Sequence, residues 1–142
     1  MYIGSILTVK GRDVVTVEAS APVKEAVRLL AERRIGAVPV MQQGKVAGIM
    51  SERDVVYCLK SDGAAVLDYP VERVMTSPIF TAAPDMSILA GLALMTERRI
   101  RHLPVVEGGA LVGIVSIGDL VKYRMDRVEE EAAALRDYIQ SA

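Results

Sequence analysis

Two short stretches of the 142-residue chain carry the same pair of polar side chains three positions apart, Ser51-Glu52-Arg53-Asp54 and Ser116-Ile117-Gly118-Asp119. That spacing admits two kinds of chemistry. As a capping box, the serine oxygen accepts from the amide three residues on, while the acid reaches back to the serine amide and complements the helix dipole. As a binding site, an ionised carboxylate accepts two donors side by side, and a helix start with free amides is a ready anion site. The two roles are compatible. Candidates for other chemistry are sparse: His102 is the only histidine and Cys58 the only cysteine. Without an acidic or thiol partner at ligand spacing, His102 reads as a hydrogen-bonding residue and no metal is expected. No Ser-His-Asp, Cys-His or paired-carboxylate arrangement stands out, so the chain is not expected to be an enzyme. The run from Gly108 to Gly113 lacks the G-x-x-x-x-G-K-[ST] pattern of a phosphate loop and reads as a hairpin turn.

Composition narrows the partners. At 51% hydrophobic and 25% charged residues the chain is long and apolar enough to bury a core. Only 4% of residues are aromatic and none is Trp, leaving few rings on which bases could stack. Seventeen basic against 18 acidic residues, a formal net charge of −1, give no global field to draw in nucleic acid or an anionic membrane. A single cysteine excludes an intrachain disulfide. No stretch reads as a signal peptide or approaches the roughly 20 apolar residues of a membrane span, so a cytoplasmic location is expected.

The elements that must position the two Ser-x-x-Asp pairs emerge from an internal repeat. An offset of 65 residues lays Thr16 on Thr81, Arg33-Arg34-Ile35 on Arg98-Arg99-Ile100, Pro39-Val40 on Pro104-Val105, Gly48-Ile49 on Gly113-Ile114 and Ser51 and Asp54 on Ser116 and Asp119, without a gap. The chain is a tandem duplication. In each copy a β-branched run such as Val14 to Val17 precedes a helix, which in the first copy starts at Ser20 with Pro22 inside its first turn. Val23, Ala26, Val27 and Leu30, and then Ile88, Gly91, Leu92 and Met95, make one apolar helix face per copy. Two strands follow, Ala37 to Met41 with Val46 to Met50 and Leu103 to Val106 with Leu111 to Val115, each pair joined by a glycine turn. A second helix begins after Ser51 or Ser116. The fold class is α/β (α+β), two βαββα units, and Leu59 to Pro78 reads as a linker with one helical turn around Val71 to Met75.

Two gapless βαββα copies, each with an apolar-Pro-Val strand, a Gly-Ile-apolar-Ser strand end and a Ser-x-x-Asp opening the last helix, resemble a pair of CBS domains, the Bateman module. The resemblance covers roughly residues 8 to 125. It implies two pseudo-symmetric repeats packed through their sheets: CBS domain 1 over 8–60, the linker over 61–77, CBS domain 2 over 78–125 and a helical extension over 126–142. It further implies two clefts that hold adenosine compounds, with the acid accepting from the ribose hydroxyls. Carried onto this sequence, the main nucleotide site would comprise Arg101, His102, Leu103, Ile114, Ser116, Gly118 and Asp119, completed by Thr16 and Ala21 of the other unit. A second, weaker site would comprise Ala37, Ile49, Ser51, Arg53 and Asp54 with Thr81. The second copy is favoured because only it carries cations there, Arg101 and His102 standing where the first copy has Gly36 and Ala37. Thr16 and Thr81 equally suit plain strand positions. Arg33-Arg34 and Arg98-Arg99, near helix C-termini, suit the helix dipole and are left out of the sites.

The implied function is ligand sensing. An adenosine nucleotide, AMP favoured and ADP, ATP, NAD(H) or S-adenosylmethionine open, would bind between the repeats and signal to a protein in trans, with the chain as a homodimer. The alternative is a nucleotide-independent dimerisation scaffold with vestigial clefts. An enzyme such as inosine-monophosphate dehydrogenase carries a similar inserted module, but here nothing remains for a barrel of about 250 residues. From Val121 the apolar positions Met125, Val128, Ala132, Leu135 and Ile139 step by four and three, a heptad-like stripe. It predicts a long terminal helix, packed either on its own domain near Ile3, Ile6 and Leu7 or on a partner subunit.

Overall fold

The computed structural model describes residues 1–141. The elements run α1 (Ile3–Lys10), β1 (Val17–Glu18), α2 (Val23–Arg33), β2 (Ala37–Gln42), β3 (Lys45–Ser51), α3 (Glu52–Asp62), a 3₁₀ turn, α4 (Val71–Val74), α5 (Ile88–Arg98), β4 (His102–Glu107), β5 (Ala110–Ser116) and α6 (Ile117–Ser141). The two hairpins are superimposable in register. Pro39 faces Ile49 and Val40 faces Gly48 in the first, Pro104 faces Ile114 and Val105 faces Gly113 in the second, with an irregularity one step further on in each. The expected hairpins are thus in place to within a residue, because β-branched runs bounded by glycine turns fix both strand type and register.

The first strand of each repeat is shorter than the sequence suggests. Val14 to Thr16 lie outside β1, which pairs with β2 in parallel only at Val17 and Glu18, and in the second repeat the counterpart shrinks to a single parallel bridge between Ala82 and Val105. Pro22 is the N-cap of α2 rather than a residue of its first turn, and no side chain caps that helix. At the equivalent start of α5, Ser87 accepts from the Ala90 amide at 3.0 Å.

Each repeat buries its own core, and each core is completed by a helix that precedes a repeat in the chain. Val66, Val71 and Val74, around α4, join Val23, Leu30, Val38, Val40 and Met50 in the first core. Residues 61–77 are therefore more than a tether: part of the stretch read as a linker is an internal wall. Ile3, Ile6 and Leu7 of α1 join Ile88, Met95, Leu103, Val105, Val115 and Leu120 in the second core. The chain approaches a glycine closely at equivalent points of the two repeats. A Cβ on Gly113 would lie 2.5 Å from a Leu7 methyl, and one on Gly48 would lie 2.7 Å from the Thr76 carbonyl. α6 is one continuous helix of 25 residues. Only its first turns pack on the domain, and Met125, Leu135 and Ile139 are more than half exposed. Among the described residues no helix is long and apolar enough to cross a membrane.

Candidate functional site

The two Ser-x-x-Asp pairs stand where β3 runs into α3 and β5 runs into α6, and both form the capping box that their spacing predicts. In the first, Asp54 N donates to Ser51 Oγ at 3.2 Å and Ser51 N donates to Asp54 Oδ2 at 2.9 Å. In the second, Asp119 N donates to Ser116 Oγ at 3.1 Å and Ser116 N donates to Asp119 Oδ2 at 2.8 Å. Both caps use the Oδ2 oxygen, and the further partner of each carboxylate differs: on Asp54 it meets the other oxygen, on Asp119 it shares Oδ2 with the cap. Thr76 Oγ1 donates to Asp54 Oδ1 at 2.9 Å. Lys10 Nζ donates to Asp119 Oδ2 at 2.6 Å and to the Ile114 carbonyl at 2.9 Å.

Each acid borders a cleft between the repeats, of about 400 Å3 beside Asp54 and about 390 Å3 beside Asp119. Both volumes suit a small organic ligand. The first cleft combines Ile49, Ser51, Arg53 and Asp54 with Phe80, Arg99, Arg101 and His102 from the second repeat. The second combines Ile114, Ser116, Asp119 and His102 with Lys10, Val14, Val15, Arg34 and Ala37. His102 borders both, its ring lying where a side chain on Gly36 would stand.

This placement reassigns several residues. Arg101 lines the Asp54 cleft and not the Asp119 cleft, and Ala37 lines the Asp119 cleft and not the Asp54 cleft. The reason is the pseudo-two-fold packing, which lays the start of each repeat's β2 or β4 strand against the other repeat's acid. Thr16 and Thr81 are exposed and line neither cleft; Val14 and Val15, and Ile79 and Phe80, take those places. Leu103 is fully buried in the second core, and Ala21 packs on the first, where its carbonyl accepts from the Val71 amide. Gly118 sits exposed on the first turn of α6, outside the lining. Ile49, Ser51, Arg53 and Asp54, and His102, Ile114, Ser116 and Asp119, are where the sequence reading puts them.

Further cleft residues escaped that reading, Lys10, Arg34, Thr76, Phe80 and Arg99 among them. Arg34 and Arg99 end α2 and α5 in the left-handed conformation, with φ of 52° and 55°, which turns the chain over the cleft mouths. Their recurrence at the repeat offset was the available signal. Lys10, Thr76 and Phe80 have no repeated counterpart and gave none. Arg98 stacks on the Phe80 ring at 4.9 Å and so braces that wall.

Charge in the clefts is set by burial and neighbours. Burial and the adjacent Arg101, with a smaller push from Lys10, hold His102 below the ordinary histidine range, so at pH 7 it is a neutral hydrogen-bonding ring and not the cation that the sequence suggests. Burial pushes the Asp119 carboxyl up, but the bonds from Lys10 and the Ser116 amide outweigh it and the net shift is downward. Asp119 is an anion at neutral pH. The first cleft therefore holds three arginines around its acid, whereas the second holds Lys10 and Arg34. Among the described residues no group of three or more His, Cys, Asp or Glu side chains could hold a metal ion.

Comparison with known proteins agrees with this geometry. The family model for the CBS domain matches residues 6–61 and 71–126. The CBS domain-containing protein YhcV of Bacillus subtilis is 34% identical over 122 residues, 86% of each chain. The crystal structure of the CBS-domain containing protein ATU1752 from Agrobacterium tumefaciens superposes with a TM-score of 0.84 at 41% identity, covering 87% of this chain and 99% of that one. The CBS domain pair of protein MJ0100, solved in complex with 5′-methylthioadenosine and S-adenosyl-L-methionine, shares the fold at a TM-score of 0.79 and 23% identity, over 89% of this chain and 98% of that one. With two matched units whose hairpins, caps and clefts repeat at one offset, the chain belongs to the CBS-domain family and carries two CBS domains in tandem.

Proposed function

We propose that this protein is a ligand-sensing regulatory module that binds an adenosine nucleotide, AMP foremost, between its CBS repeats and signals the occupancy to a protein in trans. One observation carries the reading: each cleft presents a capped carboxylate at a helix N-terminus, beside an isoleucine wall and basic side chains. A carboxylate pairs with two vicinal hydroxyls, the apolar wall takes a purine, and the cations take phosphate. The adenosine ligands of the MJ0100 pair support this assignment of chemical class. The two Arg side chains at the end of α5 and the start of β4, with Arg53, make the Asp54 cleft the better phosphate site, so we assign it the first place and the Asp119 cleft the second. The reading is of a binding module and not of an enzyme.

The exposed stripe of α6 supports a homodimer. Met125, Val128, Leu135 and Ile139 follow heptad spacing and are 57%, 46%, 59% and 63% exposed, a face that a second copy of the same helix would bury.

The test is calorimetric titration of the wild type, Asp54→Ala and Asp119→Ala with AMP, ADP, ATP, NAD(H) and S-adenosylmethionine. Removing the ionic acceptor at Asp54 should weaken the tighter site about ten- to a hundredfold, corresponding to about 1.5–3 kcal/mol. Absence of binding by every ligand, on protein shown to be free of carried-over nucleotide, would leave the capped acids as helix starts and the dimerisation scaffold as the function.

A further inference from the structure

The two acids are satisfied by segments at pseudo-equivalent places, and the two segments differ in kind. Past α4 the chain pairs with β3 through its backbone: Ile49 N donates to Thr76 O at 3.1 Å and Thr76 N to Ile49 O at 2.9 Å. That pairing hands Asp54 a neutral hydroxyl. Past α1 the connection to β5 runs through a side chain instead, because Lys10 Nζ reaches both Ile114 O and Asp119 Oδ2. Lys10 is the last residue of α1, which Ile3, Ile6 and Leu7 anchor in the core, and the following Gly11 amide closes the helix on the Leu7 carbonyl at 2.8 Å. The ammonium is thus delivered into the cleft by a fixed helix end, on a flexible four-carbon stem.

We propose that Lys10 sets the ligand selectivity of the Asp119 cleft, admitting phosphorylated adenosine compounds and turning away neutral ones. The proposal rests on the reading that Asp119 receives a ribose. Two vicinal ribose hydroxyls paired side by side take both carboxylate oxygens. Asp119 Oδ2 already accepts from the Ser116 amide and from Lys10, so the hydroxyl that falls on Oδ2 enters only by displacing the ammonium, and it brings no charge to replace the one it dislodges. A ligand with a phosphate offers Lys10 a new anion within the swing of its own stem, so the displaced cation keeps a partner. A neutral nucleoside leaves it stranded beside Arg34. In the Asp54 cleft the displaced group is the Thr76 hydroxyl, which needs no counter-ion. Nucleoside and nucleotide therefore differ less there with respect to the acid, and one chain holds a selective cleft and its own control.

The experiment is calorimetric titration of the full chain with AMP and with adenosine in an Asp54→Ala background, where the Asp119 cleft is read alone, with and without Lys10→Met. In Asp54→Ala, AMP should bind more tightly than adenosine. Lys10→Met should tighten adenosine by about 1.5-fold to fivefold, the equivalent of one partly exposed ion pair, weaken AMP, and so collapse the preference, while Lys10→Arg keeps it. An AMP preference unchanged by Lys10→Met, or adenosine binding that weakens in that variant, overturns the proposal. Failure of the parent reading looks different. If neither probe binds the wild type, the adenosine assignment falls for both clefts and the selectivity with it. If binding is abolished by Asp54→Ala and untouched by Asp119→Ala, the first-cleft reading stands and only the role of Lys10 is refuted.

Discussion

Replacing Asp119 by Ala measures how much the Lys10–Asp119 contact and its half of the capping box hold α6 in place. The substitution removes the acceptor of the Ser116 amide and of the Lys10 ammonium, but spares the bond from the residue 119 amide to Ser116 Oγ. Loss of a negative charge at a helix N-terminus costs about 0.3–1 kcal/mol, and the lost amide bond about 0.5–1 kcal/mol. The ion pair adds less than about 1 kcal/mol, because the Lys10 side chain is 39% exposed and its attraction is screened. The sum is about 1–3 kcal/mol, a fall in Tm of roughly 3–11 °C for a chain of this size. The pH dependence has a definite sign. The folded carboxyl lies below its ordinary value, so its contribution is complete above the unfolded pKa near about 4 and fades as pH falls through the lower, folded value. Denaturant unfolding followed by circular dichroism from pH 7 to pH 3 should show the wild type and Asp119→Ala converging toward acid. A double-mutant cycle with Lys10→Met should give a coupling of about 0.2–1 kcal/mol at pH 7. A gap that stays constant with pH, or a coupling of zero, would refute the reasoning.

Two other substitutions probe the supports of the clefts and the outer face. Gly48→Ala places a Cβ 2.6 Å from Met75 Sδ and 2.7 Å from the Thr76 carbonyl; the sulfur can swing away but the bridged backbone cannot, so about 1–3 kcal/mol should be lost, read as a lower denaturant midpoint. Gly113→Ala meets only Leu7 methyls at 2.5 and 2.8 Å and should cost less, so the reverse order would show that the backbone contact is not what holds glycine there. Leu135→Asp on the exposed α6 stripe should convert a dimer to the 15.3 kDa monomer in sedimentation velocity; an unchanged mass would mean that α6 does not join the copies.

What could be read from the sequence followed from interactions that act locally. Val23, Ala26 and Leu30 reveal a buried helix face because helical periodicity and burial coincide, and Ser51 and Asp54 reveal a helix start because the capping box closes within one turn. Where contacts are long-range the reading failed in specific ways. Arg101 was assigned to the acid of its own repeat, since a sequence shows which strand a residue precedes but not which repeat that strand end faces. His102 was counted as a cation, since neither its burial nor its contact with Gly36 is local. The stretch around α4 reads as a linker with one helical turn, and α4 is that turn; the full burial of Val66 and Val71 is not legible, because three valines over nine positions match neither a strand nor a helix period.

The same limit explains why the two clefts differ. At the repeat offset Val71 falls on Ile6, so α4 and α1 occupy equivalent places, each just ahead of a repeat. Yet α4 completes the core of the repeat that it follows, and α1 reaches across to the repeat farther along the chain. Each helix must therefore deliver the next few residues to the cleft whose acid belongs to the core it fills: Thr76 to Asp54, Lys10 to Asp119. Duplication preserved the hairpins, the caps and the acids, because each is fixed by contacts inside one unit. It did not preserve the delivered residues, Lys10 against Met75 and Gly11 against Thr76, since nothing inside a unit constrains them. Selectivity between the clefts can then diverge without disturbing either fold, through substitutions at the ends of two helices that touch the acid only after the chain has crossed the module.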